Sequence, residues 1–279
     1  MTPLPTVWEN QILVCDASHF LRALPTAYCR MPLIVFSPPY NLGTTTGGGF
    51  ARAEKRHDRK PFTSKWTGGI LKYGYDTNDD AHPMETYCAW LADVLDTAWH
   101  ALTPDGAIFF NHKPRILDGA LLSAREYVPP HLQPYVRQEI VWQRAGGINF
   151  SRMFYLPTTE RIVIIAKPAW RLRSQGASGV GDLWYIPQEH RTWHPAPFPQ
   201  LLVERILETT GATVVCDPFM GSGTTAKAAR LMGIPFVGCD QSAVYVQRAM
   251  QEVAEITPYH PTTHDLFDQL ALPEDASLP

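Results

Sequence analysis

Two short stretches of the sequence carry residue types that could do chemistry. The first, SPPY at 37–40, ends a buried apolar run at a hydroxyl, two prolines and a tyrosine. Adjacent prolines cannot continue a central strand, because each lacks an amide proton and has a fixed φ. Ligands bind at the carboxyl ends of strands in open parallel sheets. The stretch therefore predicts either a functional strand end or a rigid turn without function.

The second stretch, DPFMGSGTT at 217–225, lies between a predicted strand and a predicted helix. Glycines there let the backbone approach a ligand, and free amides at a helix start favour an anion. The stretch lacks the GxxxxGK[ST] pattern of a phosphate-binding loop. It also lacks the third glycine that the nicotinamide-binding GxGxxG pattern needs. The interpretation that is left is a loop that binds a small carboxylate and a nucleoside. The alternative is a tight turn with a purely structural role. Asp240, ending the next strand, could accept hydrogen bonds from ribose hydroxyls or cap a helix.

The elements that must position these residues alternate between strand and helix. Short β-branched runs precede both stretches, and residues 83–102 place Tyr87, Leu91, Leu95 and Ala98 on one helical face. Strands that alternate with helices predict an α/β fold with a doubly wound, mainly parallel sheet.

Composition limits the class of protein. Of the 279 residues 45% are hydrophobic and 18% are charged, which is typical of a soluble globular protein with a sizeable core. No apolar stretch is long enough to span a membrane, and the first residues lack a signal pattern. The 5 cysteines never have CxxC spacing, which argues against zinc and disulfides. We expect a cytoplasmic protein without a membrane partner or a metal.

Charge is distributed unevenly along the chain. All 24 Lys and Arg residues precede residue 249, whereas residues 257–279 form an acidic C-terminal tail behind a main domain at 1–256. Residues 41–82 form a long insertion that is rich in glycine, threonine and basic side chains. Such a basic run fits a solvated loop and a surface for a polyanion equally well.

Four motifs together resemble those of a known family. They are SPPYN at 37–41, DLWYIP at 182–187, HPAPFP at 194–199 and DPFMGSGTT at 217–225. With the acid-ended strand FVGCD, they make the chain similar to the amino-group DNA methyltransferases that use S-adenosylmethionine (SAM). Their order is that of the permuted (beta) branch, in which the catalytic motif precedes the cofactor motif. The resemblance implies a Rossmann-like methyltransferase fold with a seven-stranded sheet and a small inserted DNA-recognition region.

The resemblance also implies catalytic roles. Ser37 Oγ and the Pro38 carbonyl would accept hydrogen bonds from the amino group of a base, and Pro39 would stiffen the strand end. Tyr40 would stack on that base, which must flip out of the duplex to reach the pocket. Acceptors are needed because the lone pair of a nucleobase amine is delocalised, which makes the nitrogen a poor nucleophile. Transfer would be direct and would need no covalent cysteine intermediate.

Around SAM, the resemblance implies a set of cofactor-binding residues. Asp16 would contact the adenine amino group, although capping a helix is an equal alternative for it. Asp240 would hold the ribose. The other members would hold the methionine moiety or position the helix beside it: Asp217, Phe219, Gly221, Ser222, Gly223, Thr224, Thr225, His194 and Phe198.

The target base follows from the first motif position. Serine there mostly accompanies N4 of cytosine in this family, whereas Asp or Asn mostly accompanies N6 of adenine. We therefore expect an N4-cytosine enzyme of the SPPY type, with N6-adenine as the alternative. An RNA or protein methyltransferase, a non-catalytic DNA-binding relative and a nucleotide-dependent oxidoreductase are more remote alternatives.

Double-stranded DNA is the implied partner, and two segments are expected to contact it. They are the basic insertion at 41–82 and the candidate recognition segment at 145–181. A homodimer and a cognate restriction endonuclease that acts on the same site stay open as further partners. The predicted DNA-binding residues are Arg52, Lys55, Arg56, Arg59, Lys60, Lys65, Arg144, Arg152, Arg171 and Arg173.

Overall fold

The computed structural model describes most of the main domain. Arg52, Lys55, Arg56, Arg59, Lys60 and Lys65 lie outside the described residues, as does most of the predicted acidic tail. The described residues are 8–26, 30–41, 82–117, 119–144, 152–189, 193–194 and 197–259.

Ten strands form two sheets in the described part of the chain. The main sheet has the order β1-β10-β9-β2-β3-β7-β6-β8, and β4 pairs with β5 in a hairpin. The strands are β1 (Gln11–Val14), β2 (Met31–Phe36), β3 (Leu102–His112), β4 (Arg115–Leu117), β5 (Ala120–Leu122), β6 (Val136–Gln143), β7 (Thr159–Ala166), β8 (Leu183–Tyr185), β9 (Val215–Asp217) and β10 (Phe236–Asp240).

Neighbouring strands of the main sheet are parallel except at β7, which is antiparallel to both β3 and β6. The mainly parallel α/β fold predicted from the alternation of elements is confirmed. The sheet has eight strands rather than the expected seven. The short β8 pairs with β6 and forms the edge of the sheet there.

Helices cover both faces of the sheet. Two 3₁₀ helices, Ala124–Tyr127 and Pro130–Tyr135, follow the β4–β5 hairpin. The α-helices are α1 (Ala17–Thr26), α2 (Met84–Ala101), α3 (Gln175–Ser178), α4 (Gln200–Thr210), α5 (Thr224–Leu231) and α6 (Ala243–Ala254).

Two buried apolar layers lie on opposite faces of the sheet, since successive strand side chains point to opposite sides. The first layer joins Val35 and Phe109 of the central strands to α4, α5 and α6. The second joins Ile34 and Phe110 to α1 and α2. Within the described ranges, no helix is long and apolar enough to cross a bilayer.

The sheet order decides which residues meet where the parallel strands finish, and we call this end of the sheet the functional edge. The parallel strands β1, β2, β3, β9 and β10 all end at the same edge. Because β7 runs the other way, its first residues lie at this edge and its last residues lie at the opposite one. Polar residues at the start of β7 are thereby brought beside the ends of β2 and β3.

Candidate functional site

A cleft opens at the carboxyl-end edge of the parallel strands and has two halves. The acceptor half follows β2 and includes Ser37, Pro38, Pro39 and Tyr40. The glycine-loop half follows β9 and β10 and includes Gly221, Ser222, Thr224 and Asp240. Both stretches singled out by their residue types therefore line one cleft.

A hydrogen bond from α2 holds the two prolines that follow β2. The Tyr87 hydroxyl donates to the Pro39 carbonyl at 2.7 Å and lies 2.8 Å from His112 Nε2. Burial lowers the pKa of His112 to about 3, so the ring is neutral at physiological pH. The Pro39 carbonyl is thus already bonded within the protein, and the backbone around Pro38 is fixed.

The side chains of the acceptor half form a continuous polar network. Tyr40 Oη lies 2.7 Å from Ser37 Oγ and donates to Glu160 Oε2 at 2.9 Å. Asn111 Nδ2 donates to Tyr40 Oη at 2.7 Å and to the same Glu160 oxygen at 2.9 Å. Arg144 closes the network, with Nη1 at 3.2 Å from Glu160 Oε1. Sequence reasoning missed Glu160 and Asn111.

Four of the network residues converge because each lies two positions along the chain from a residue of the first apolar layer. Side chains two residues apart along a strand share a face. At the functional edge the apolar layer therefore gives way to polar side chains on the same face. The pairs of core and network residues are Val35 and Ser37 (β2), Phe109 and Asn111 (β3), Trp142 and Arg144 (β6), and Ile162 and Glu160 (β7).

Backbone groups dominate the glycine-loop half. The Gly221 amide donates to Asp240 Oδ2 at 2.9 Å, and the Ser242 amide donates to Asp240 Oδ1 at 2.8 Å. Asp240 therefore ties the loop to the start of α6 while it lines the cleft. Gly221 has φ 50°, and a Cβ there would meet His194 Nε2 at 2.8 Å. This position requires glycine for both reasons.

The loop is supported from below by a buried carboxyl group. Asp217 accepts hydrogen bonds from the Phe219 amide at 2.8 Å and from Thr225 Oγ1 at 2.6 Å. Burial raises the pKa of Asp217 to about 7, although these two hydrogen bonds oppose the shift. Gly223 faces Ala249 of α6 and allows the helices to pack. Asp217, Gly223 and Thr225 thus shape the loop, whereas Ser222 and Thr224 line the cleft.

Contacts to α6 hold Trp193 and His194 against the loop. The Trp193 indole donates to Glu252 at 2.6 Å, and Lys227 forms an ion pair with the same carboxylate. Burial, with a smaller contribution from the Lys227 charge, lowers the pKa of His194 to about 4. The neutral ring covers Gly221 and contacts Tyr245 edge-on, with 5.1 Å between the ring centroids. Phe198 lines the cleft beside it.

Further aromatic rings complete the wall of the cleft. Phe219 packs between Phe36 and Trp90, with 5.6 Å between ring centroids in each pair. Trp90 and Tyr245 also line the cleft and were missed from the sequence, since each lies inside an ordinary amphipathic helix pattern. Asp16 accepts from the His19 amide at the start of α1 and from Gln241, so it has the capping role that the sequence left open.

Four predicted DNA-binding arginines are described, and they lie in different places. Arg144 is committed to its ion pair, with 10% of its side chain exposed. Arg152 is exposed and lies in the connection from β6 to β7, at the functional edge. Arg171 and Arg173 follow the end of β7 and therefore lie at the opposite edge of the sheet.

Comparison with known proteins decides the family. The model of the family described as DNA methylase matches residues 31–251. The chain belongs to this DNA methylase family. The Type II methyltransferase M1.MboII of Moraxella bovis is 38% identical over 263 residues, which cover 78% of this chain and 86% of that protein.

Solved structures share the fold of this DNA methylase. The PvuII DNA methyltransferase (cytosine-N4-specific) matches with a TM-score of 0.60 and 14% identity, covering 89% of this chain and 93% of that one. The M1.HpyAVI–SAM complex matches with a TM-score of 0.54 and 18% identity, covering 87% and 98% of the two chains. The amino-group DNA methyltransferase family and the Rossmann-like fold expected from the motifs are confirmed.

Proposed function

We propose that this DNA methylase transfers a methyl group from SAM to the exocyclic N4 of a flipped cytosine in duplex DNA. One observation carries the proposal: the acceptors after β2 and the glycine loop after β9 line a single cleft. A base held by one half would thus face a cofactor held by the other.

The glycine-loop half fits SAM on its own donors and acceptors. The Ser222 and Thr224 hydroxyls, 2.9 Å apart, lie at the start of α5, where free amides favour a carboxylate. Asp240 lines the cleft, and the Gly221 and Ser242 amides orient its carboxylate, which is a suitable acceptor for ribose hydroxyls. Phe219 and Phe198 offer apolar surface, and we keep Asp16 as a proposed contact to the adenine amino group.

When bound, SAM supplies a methyl group on a positively charged sulfur, which is an electrophile. The residues of the acceptor half prepare the amine that attacks it. Ser37 Oγ and the Pro38 carbonyl accept the two amino hydrogens, which draws the nitrogen toward sp³ geometry. Because the prolines and Tyr87 fix this strand end, little freedom is lost when the amine binds.

Tyr40 supplies the stacking surface for the flipped base. Its hydroxyl is fixed by Glu160 and Asn111, and its ring lies against His112 with 4.7 Å between centroids. A ring held in this way stacks on a base without losing rotamer freedom. Stacking of this kind contributes about 1–3 kcal/mol per base in proteins that bind single strands.

Cytosine is proposed over adenine because the first motif residue is Ser37. Its hydroxyl is small and sits beside a network that can orient it. The similarity to the cytosine-N4-specific PvuII enzyme supports the fold alone. The choice of cytosine over adenine rests on Ser37. Adenine N6 is the second candidate, since the same acceptors could hold its amino group.

Duplex DNA is the proposed partner, acting in the cytoplasm. Exposed Arg152 lies at the functional edge, where Lys and Arg contacts to phosphates would make binding salt-dependent. We propose that the basic insertion at 41–82 adds to this contact. A homodimer and a cognate endonuclease remain proposals that the size of a DNA complex and the genomic neighbourhood would test.

Mass spectrometry of nucleosides tests the function. Unmethylated plasmid DNA is incubated with SAM and the protein, beside Ser37→Ala and Tyr40→Ala variants. We expect N4-methyldeoxycytidine from the wild type and its loss in both variants. N6-methyldeoxyadenosine would keep the mechanism and overturn the base. SAM binding without any methylated nucleoside would overturn the function on DNA.

A further inference from the structure

The hydroxyl groups of Ser37 and Tyr40 form a short chain whose direction is set at its far end. Glu160 can only accept hydrogen bonds through its carboxylate, so the single Tyr40 hydroxyl proton is donated to Glu160 Oε2 at 2.9 Å. The 2.7 Å contact between Ser37 Oγ and Tyr40 Oη must then use the Ser37 proton. The order of donation is therefore from Ser37 to Tyr40 to Glu160.

Asn111 supports the same direction. Its Nδ2 group donates to Tyr40 Oη at 2.7 Å and to Glu160 Oε2 at 2.9 Å, with a longer contact of 3.3 Å to Ser37 Oγ. Its Oδ1 is buried and has no hydrogen-bond partner among the described residues. Turning the amide over would place Oδ1 against the carboxylate. The side chain thus leaves one acceptor unpaired, at a cost, to keep its donors on Tyr40 and Glu160.

Positive charge holds the carboxylate in place. Arg144 Nη1 lies 3.2 Å from Glu160 Oε1, and the two side chains are only 10% and 5% exposed. The Lys113 ammonium also interacts with Glu160. A carboxylate this deeply buried needs such partners, because desolvation of an isolated charge is very unfavourable. One oxygen therefore faces Arg144, and the other faces Tyr40 and Asn111.

We propose that Glu160 is a positioning residue that makes Ser37 present a lone pair, and not a proton, to the target amine. The proposal rests on the proposed methyl transfer, in which Ser37 must accept an amino hydrogen. With its own proton given to Tyr40, the Ser37 oxygen faces the cleft as an acceptor. Glu160 acts through Tyr40 and never touches the base.

Glutamine at position 160 would reverse the chain once the Asn111 amide turns over, so that its Oδ1 accepts from the new NH₂ group. Arg144 donates only, so it would keep the amide oxygen of the new side chain on its own side. The amide NH₂ group would then face Tyr40 and donate to its oxygen. The Tyr40 proton would turn to Ser37, and the Ser37 proton would turn into the cleft toward the amine.

Steady-state kinetics of the full chain test this inference, with the wild type, Glu160→Gln, Tyr40→Phe and the double variant. Glu208→Gln is the matched control, since Glu208 is a buried glutamate on α4. For Glu160→Gln we expect kcat to fall about 10²-fold, as for loss of one transition-state hydrogen bond, with the KM for SAM within about twofold. In the Tyr40→Phe background, adding Glu160→Gln should lower kcat by less than about threefold, because the Tyr40 hydroxyl that links Glu160 to Ser37 is already missing.

The outcomes separate the inference from the function on which it rests. A wild type that transfers no methyl group to DNA overturns both. An active wild type with an unchanged kcat in Glu160→Gln overturns the inference alone. The inference alone is also overturned if Glu160→Gln lowers kcat by the same factor in the wild type and in the Tyr40→Phe background. A parallel loss of SAM affinity and thermal stability in Glu160→Gln, but not in Glu208→Gln, would indicate general damage and overturn the positioning role.

Discussion

In the glycine-loop half of the cleft, backbone amides and two carboxylates hold residues that are close together in the chain. Asp217 and Asp240 bond amides only 2 to 19 positions away. In the acceptor half, side chains from four strands hold one another, and Tyr40 and Glu160 are 120 positions apart. The first half is therefore sensitive to added atoms, and the second to lost partners and charges.

The largest expected effect is on the acceptor half, from Arg144→Met. Glu160 would stay buried without its ion-pair partner, and breaking such a pair costs about 3–5 kcal/mol of unfolding free energy. Urea denaturation measures the change. Adding Glu160→Gln should restore most of the loss, because the unpaired charge is removed. A loss well under 1 kcal/mol in Arg144→Met would show that the acceptor half does not depend on this pair.

Ser37→Ala should separate the two halves in kinetics. We expect kcat to fall about 10²–10³-fold, since one acceptor for the developing charge is lost. The affinity for SAM, measured by calorimetry, should stay unchanged because Ser37 bonds no residue of the glycine loop. Ser178→Ala, in the short helix α3, is the control. Weaker SAM binding in Ser37→Ala would show that the acceptor half and the glycine-loop half do not act separately.

His194→Gln should flatten the acid side of the stability curve. The folded-state pKa of His194, about 4, lies below the usual value of 6.5. The wild type therefore loses stability as pH falls from about 6.5 toward 4, by up to about 3 kcal/mol from this residue. Asp217, whose pKa is raised, acts in the opposite sense and is common to both proteins. Equal slopes for the two proteins between pH 6.5 and 4 would contradict the prediction.

Gly221→Ala should give the smallest effect, and we expect to see it in cofactor binding. The new Cβ would lie 2.8 Å from His194 Nε2, so the ring must move, and the φ of 50° adds strain. We expect SAM affinity to fall about tenfold, or about 1.4 kcal/mol. Gly181→Ala is the matched control, with φ 73° and nothing within 4 Å. Equal SAM affinity in the two variants would contradict the role of the contact.

The same contrast explains what the sequence could predict. The strand ends, the glycine loop and Asp240 were predictable because their geometry depends on a few contiguous residues. Glycine and proline restrict the backbone locally, and acids at strand ends follow the period of the sheet. The eighth strand was not expected, because a three-residue strand at the edge has little pattern of its own.

The polar network was out of reach for a physical reason. Glu160 is followed by a β-branched run and could have been an ordinary surface residue at a strand start. Only the pairing of β7 with β3 and β6 brings it beside Tyr40, Asn111 and Arg144. The same pairing sends Arg171 and Arg173 to the far edge, so their predicted contact with DNA stays untested.

Strand β7 has a consequence for protein engineering. The Arg144 amide bonds the Thr158 carbonyl at 2.8 Å, which closes the ladder just before the connection between β6 and β7. A single residue inserted between Glu160 and Ile162 would turn Glu160 to the opposite face, whereas changes between 144 and 158 leave the register intact. The register that positions Glu160 is thus set by the strands themselves and does not depend on the length of the connection between them.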